Sequence, residues 1–89
     1  MRIKSKNCPI KLKYKKLGRQ KAWGQAYKEA NKIEVEKNSK GKLKLKIIIH
    51  EALHCIFPEF SENRIRKSEK LLSDLLWNQN YRQVDNYIK

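Results

Sequence analysis

One long apolar run constrains what this chain can become. It extends from Leu43 to Phe57, LKLKIIIHEALHCIF, too long for a typical strand and right for a helix of about four turns. Its opening residues, KLKLK, alternate as a strand would, but the apolar content continues well past them. A helix over residues 42–57 is expected, ended by Pro58. Because it is apolar nearly all round, it has to lie at the centre of the fold with other elements packed on more than one side.

The residues around it supply those elements. In PIKLKYKK, Ile10, Leu12 and Tyr14 alternate with Lys11, Lys13 and Lys15, the period-two pattern of a strand with one buried face. LGRQ reads as a turn. AWGQAY (22–27) and KIEVEK (32–37) flank KEAN as the two strands of a hairpin would, with Ile33 and Val35 inward and Glu34 and Glu36 outward. KNSKG closes this portion near Gly41. Beyond Pro58, Ser61 is an N-cap candidate with Glu62 in the first turn, where the helix dipole favours a carboxylate. Ile65, Leu72 and Leu76, joined by Leu71 and Leu75, mark the apolar stripe of a second helix until NQN at 78–80 interrupts it. YRQVDNYIK adds a short terminal turn. The expected fold is α+β: a small antiparallel β-sheet of about three strands, then the central helix and a second helix antiparallel to it. It forms one domain over 1–89, with a basic β portion at 1–41 and a helical portion at 42–89.

A domain of 89 residues buries only roughly 60% of the surface its unfolded chain exposes, so a bound ion would serve the fold as well as any chemistry. Cys8 and Cys55 are too few for a disulfide framework and read as free thiols in a reducing compartment. The chain opens on lysines without the apolar run of a signal peptide, and no stretch of about 18 apolar residues is present, so a cytoplasmic protein with no membrane partner is expected. Charge is distributed unevenly: residues 1–46 hold 16 Lys and Arg against three Glu, whereas residues 47–89 hold six of each sign. The whole excess of +13 thus belongs to the first half, where it attracts polyanions or keeps a small protein soluble.

Within the long apolar run, His50 and His54 are four residues apart, one above the other on a helix, and can present two imidazole nitrogens to one ion. Glu51, next to the first of them, can accept a proton from a metal-activated water as it attacks a carbonyl, then pass it to the leaving amine. This is the His-Glu-x-x-His pattern of zinc peptidases. A lone histidine on such a helix would read as a core residue. Two with a glutamate between them, whose burial without a partner would be costly, point instead to a Zn²⁺ site. A third ligand is needed, and the second helix offers two: Glu62 and Glu69 share the inward stripe with Ile65, Leu72 and Leu76. With antiparallel helices the level between the histidines faces roughly residue 66, and both glutamates stand almost equally far from it. Spacing does not choose between them.

HEALHCIFPEFSENRI, continuing into LLSDLLWNQNYR, resembles the small metallopeptidases of phages and prophages, with their His-Glu-x-x-His helix, short Pro-containing loop, acidic helix start and Leu-Leu-Trp-rich end. The resemblance covers about residues 44–82, with a weaker echo in WGQAYKEANKIEVEK. It implies a minimal zincin of the gluzincin kind, in which the acid opening the second helix is the recurrent ligand. Glu62 would then complete the site with His50 and His54, Glu69 is held in reserve, and Glu51 is the catalytic base. This chain departs from the pattern in its basic first half and in SEN, which offers one acid where many relatives carry two.

Two functions of different classes follow. The first is a zinc metallopeptidase acting on peptides or proteins, with KIEVEK as an edge strand along which an extended substrate could lie. The second is a basic phage module that binds nucleic acid or an acidic host protein and holds a structural or vestigial metal. In that case Lys11, Lys13, Lys15, Lys42, Lys44 and Lys46 would form one phosphate-tracking face. Cys55, turned about 100° from His54, reads as core. Tyr14, Trp23 and Tyr27 read as sheet core or as platforms for stacked bases. Oligomeric state leaves no trace in the sequence.

Overall fold

In the computed structural model of the chain, which describes residues 9–17 and 23–83, the elements follow in the order strand, strand, strand, helix, helix. They are β1 (Lys11–Lys15), β2 (Gly24–Tyr27), β3 (Lys32–Glu36), α1 (Gly41–Ile56) and α2 (Glu62–Asn78), with a short 3-10 turn at Lys28–Ala30. The architecture is α+β. Cys8, most of the LGRQ turn and the end of the terminal YRQVDNYIK segment lie outside the described residues.

The sheet order is β1-β3-β2, with β2 antiparallel to β3 and β1 parallel to it, so the sheet is mixed rather than antiparallel throughout. Period-two alternation assigns side chains to faces, and it reads the same for a parallel as for an antiparallel neighbour. The β2–β3 hairpin forms as expected, with Asn31 taking the left-handed conformation (φ 53°) that closes its connection.

The central strand is β3, not an edge, which corrects the reading of KIEVEK as the strand a substrate would join. A central strand has both edges paired, and side chains of its neighbours flank it on each face. Ile33 and Val35 face α1, with 1% and 0% exposure. Glu34 and Glu36 take the other face as expected but are buried too. Glu34 accepts hydrogen bonds from Tyr27 Oη (3.1 Å) and Gln25 Nε2 (3.3 Å), and the Nζ atoms of Lys15 and Lys32 lie 3.7 and 3.8 Å from its carboxylate. Glu36 accepts the backbone N–H groups of Leu17 (2.9 Å) and Asn38 (3.2 Å), which ties down both chain segments that leave this end of the sheet.

Helix α1 lies on the Ile33/Val35 face. Ile33, Val35, Ile47 and Cys55 form the core, with Ile10, Ala26 and Ile48 packed against it. Cys55 is thus a core residue, its Sγ 3.8 Å from Lys32 O. Tyr14, Trp23 and Tyr27 are not core: they stay 39%, 53% and 39% exposed. Helix α2 starts where Ser61 Oγ accepts Arg64 N–H (3.2 Å) and ends near Asn80 (φ 67°), its last carbonyls taking the N–H groups of Gln79, Asn80 and Tyr81. Its inward stripe runs through Ile65 and Ser73, both 0% exposed, whereas Leu72 turns partly to solvent. The small Ser73 takes the place that a leucine was expected to fill, and its hydroxyl donates back to Lys70 O.

The helices are antiparallel, as a ladder of polar contacts shows. Lys42 meets Asp74, Lys46 meets Glu69, His50 meets Glu69 and Glu62, and His54 meets Glu62. The six lysines expected to make one phosphate-tracking face do not share one. Lys11, Lys13 and Lys15 stand on the sheet face opposite α1, Lys42 and Lys46 are paired with α2, and Lys44 points to a third side beside Tyr14. Among the described residues, no helix is long and apolar enough to cross a membrane.

The Glu36 clasp generates a pH prediction. The Leu17 N–H, joined by Asn38 N–H and the charge of Lys16 against opposing burial, holds the Glu36 carboxyl below its ordinary value. Its contribution is therefore complete above the unfolded value of about 4.3 and is lost as pH falls through the lower folded value. Glu36→Gln should lower the Tm at neutral pH, and the gap to wild type should narrow below about pH 4 in circular-dichroism melts. A gap of constant size down to about pH 3 would show that the clasp does not act through this charge.

Candidate metal centre

The helical rise places His50 and His54 on the α1 face turned toward α2, their ring centroids 5.0 Å apart and their planes inclined at 68°. The Glu62 carboxylate reaches across from the first turn of α2 and bridges them. Its Oε2 lies 3.0 Å from His50 Nε2, and its Oε1 lies 3.2 Å from His54 Nε2. One ligand atom from each of the three side chains falls within 4.8 Å of the others, so together they could hold a metal ion. Donor atoms about 2.0–2.1 Å from a shared tetrahedral ion stand about 3.3 Å apart, close to the two spacings found here.

Both candidate glutamates of α2 converge on His50, and they do so from opposite sides of the ring. Glu69 Oε1 lies 3.0 Å from His50 Nδ1, while Glu62 takes the Nε2 side. Spacing placed the two acids about equally far from the histidines, and the structure uses both, in different ways. Glu62 stands where a ligand would, and Glu69 where a group that fixes ring orientation would. Lys46 Nζ, 3.7 Å from Glu69, and Arg66 Nε, 3.3 Å from Glu62, flank the carboxylates. Neither cation was foreseen from the sequence, although Arg66 follows Glu62 at the i,i+4 spacing of a helical ion pair.

The protons on the two rings bear on whether this donor set suits a cation. Ionised carboxylates only accept hydrogen bonds, and a neutral imidazole donates one. Three imidazole nitrogens face carboxylate oxygens here: both nitrogens of His50 and Nε2 of His54. Two neutral rings supply two protons for three such contacts. A divalent cation between the two Nε2 atoms and Glu62 would remove the deficit, leaving His50 Nδ1–H to donate to Glu69, and so would a doubly protonated His50 donating from both nitrogens. Burial, then the neighbouring His50, push His54 below the ordinary histidine value, which favours the neutral form that ligation requires. His54 Nδ1 is buried and has no hydrogen-bond partner among the described residues, so packing rather than a second carboxylate orients that ring.

Glu51 packs near Gly24 of β2 and is half-buried. Burial pushes its carboxyl above the ordinary glutamate value, His50 opposes this, and Glu62 adds to it. Beside it lies a shallow cleft of about 190 Å³, lined by Trp23, Gly24, Leu43, Lys46, His50 and Glu51. Gly24 makes the close approach of sheet and helix feasible. A Cβ there would stand 2.7 Å from Ile47 Cγ2, 3.0 Å from Glu51 Cγ and 3.1 Å from Glu34 O. Trp23 O accepts Glu36 N–H at 2.7 Å, so alternation along the antiparallel ladder directs the N–H and C=O groups of Gly24 and Ala26 away from β3. Among the described residues, the unpaired edge beside Glu51 is therefore that of β2.

No family model, curated protein or solved structure compared with this chain matches it.

Gly24→Ala should destabilise the fold by about 1–3 kcal/mol, the usual cost of overpacking, in urea unfolding followed by tryptophan fluorescence. Unchanged stability would mean that β2 and α1 have room to separate.

Proposed function

We propose that the chain is a zinc-dependent peptidase of the minimal gluzincin kind, as its resemblance to the small phage and prophage metallopeptidases implies. The observation that carries this reading is the Glu62 carboxylate lying between the Nε2 atoms of His50 and His54, with Glu51 beside them on an open cleft. Two imidazoles and a carboxylate are the donor set of many catalytic zinc sites, which leave a further position for water. His50, His54 and Glu62 would hold the ion, and Glu69 would orient His50 through Nδ1. Bound zinc supplies Lewis acidity toward water and the scissile carbonyl. Glu51 accepts the proton of the attacking water on its carboxylate and delivers it to the departing amine nitrogen.

An extended peptide is accommodated by the edge of β2, where Gly24 and Ala26 offer backbone donors and acceptors next to the Glu51 cleft. Trp23 and Leu43 supply apolar contact there. So shallow a cleft favours loose side-chain preference. The expected setting is a reducing cytoplasm, that of a host cell if the chain is phage-encoded, in keeping with the buried free thiol of Cys55.

Purified protein should contain about one zinc per chain by elemental analysis, and His54→Ala should lose it. Glu51→Gln should retain the metal while cleavage of a fluorogenic peptide library falls about 100-fold or more. Wild-type protein that binds no zinc, or Glu51→Gln protein that cleaves at the wild-type rate, would overturn the assignment. Glu69→Gln should weaken zinc binding about 10- to 100-fold in a competitive chelator titration, since it removes the charge that fixes His50.

A further inference from the structure

A second concavity, of about 530 Å³, opens on the opposite flank of α1, and none of its lining residues lines the Glu51 cleft. On α1 its walls are built from Lys44, Leu45 and Ile48, a stripe distinct from that of Ile47, His50 and His54. It is bounded by the N-terminal end of α1, by Tyr14 of β1 and by the chain that follows α2.

Its chemistry is of two kinds. Among the described residues, four cations, Lys37, Lys40, Lys44 and Arg82, line it, and no Asp or Glu does. None of the four is ion-paired among the described residues, whereas Lys42 and Lys46, each two residues from Lys44 and therefore on the other side of α1, are paired with carboxylates of α2. The other lining groups are aromatic. The Arg82 guanidinium carbon lies 3.5 Å from the Trp77 ring centroid, held by an Nη1–H···O bond of 2.9 Å to Trp77 O. Lys44 Nζ lies 5.1 Å from the centroid of Tyr14, and Tyr81, 65% exposed, stands beside them. A guanidinium backed by an indole is a flat cationic surface of the kind on which nucleobases stack. The start of α1 adds to the positive field, with no side-chain cap and no acidic residue in its first turn.

We propose that this groove binds a nucleotide, its phosphates against Lys37, Lys40 and Lys44 and its base on the Trp77–Arg82 stack beside Tyr14 and Tyr81. A volume of about 530 Å³ lies within the range of small-ligand sites and admits one nucleotide unit, free or within a single strand. The inference does not depend on the metal centre, because the two sites share no lining residue.

The test uses the full chain with three probes: ADP and inorganic phosphate by calorimetry, and a fluorescein-labelled oligothymidylate by anisotropy at low and high salt. ADP or the strand should bind the groove, and inorganic phosphate should bind at least about tenfold more weakly because it lacks a base to stack. Saturation by ADP marks a free nucleotide as the ligand, and saturation by the strand alone marks single-stranded nucleic acid. Lys40→Glu/Lys44→Glu and, separately, Arg82→Ala should each weaken binding about tenfold or more. Lys11→Glu/Lys13→Glu, which reverses charge on the far face of the sheet, should change it less than about threefold. All of these side chains lie at the surface, and circular dichroism verifies that each variant is folded. Absence of binding by both ADP and the strand, phosphate binding as tight as that of ADP, or equal losses from the sheet-face variant would overturn the proposal.

Discussion

The seam between α1 and α2 is polar where most helix pairs of this size are apolar, and the other features of the molecule are arranged around it. From Lys42–Asp74 through Lys46–Glu69 to the two histidines and Glu62, charged and titratable groups join the helices along most of their shared length. Apolar support comes from Ile65 below them, and the buried Ser73 lets the helices approach. Groups of this kind hold two helices together only when every donor has an acceptor and every charge a partner, since an unmatched buried polar group costs more than a matched one contributes. The histidine end of the seam has more acceptors than neutral rings have protons to offer. A divalent cation held by His50, His54 and Glu62 would add a further link between the helices.

That link matters because the apolar core is small. Ile33, Val35, Ile47 and Cys55 form its centre, all on one side of α1, while Leu71 and Leu75 of α2 remain in solvent. Small domains with cores of this extent often depend on a metal for part of their folding free energy. The same ion would then act in stability and in chemistry. On its outer face the sheet adds a second polar layer, where Lys15 and Lys32 lie over the buried Glu34 carboxylate and backbone N–H groups enclose that of Glu36. Part of the large positive charge of the first half is thus structural. Four cations without a carboxylate partner among the described residues, Lys37, Lys40, Lys44 and Arg82, line the groove beside the start of α1.

Helix α1 accordingly serves as a partition. Its His50–His54 stripe meets the carboxylates of α2, its Ile47 stripe meets the sheet, and its Lys44–Ile48 stripe borders the cationic groove. Its sheet-facing and α2-facing sides are covered by those elements, while the third side opens on the groove. Gly24 sets how near the sheet may come, which brings the free edge of β2 next to Glu51.

The sequence by itself determined the elements and brought His50 and His54 to one face of α1. Hydrophobic run length located α1 to within a residue, Ser61 and Asn78 bounded α2, and alternation found the three strands with Ile33 and Val35 inward. The i,i+4 spacing fixed His50 and His54 on one face, because local periodicity is a property of the backbone alone. Only the tertiary structure decided what depends on neighbours distant in the chain. It made β3 the central strand and the sheet mixed, since alternation carries no information on strand direction or order. It buried Glu34 beside Lys15 and Lys32 and Glu36 against the backbone N–H groups of Leu17 and Asn38, a coverage that no pattern within KIEVEK encodes. It also gave Glu62 and Glu69 opposite sides of one imidazole, because two acids seven residues apart on a single helix stripe are equivalent until an antiparallel partner sets their level.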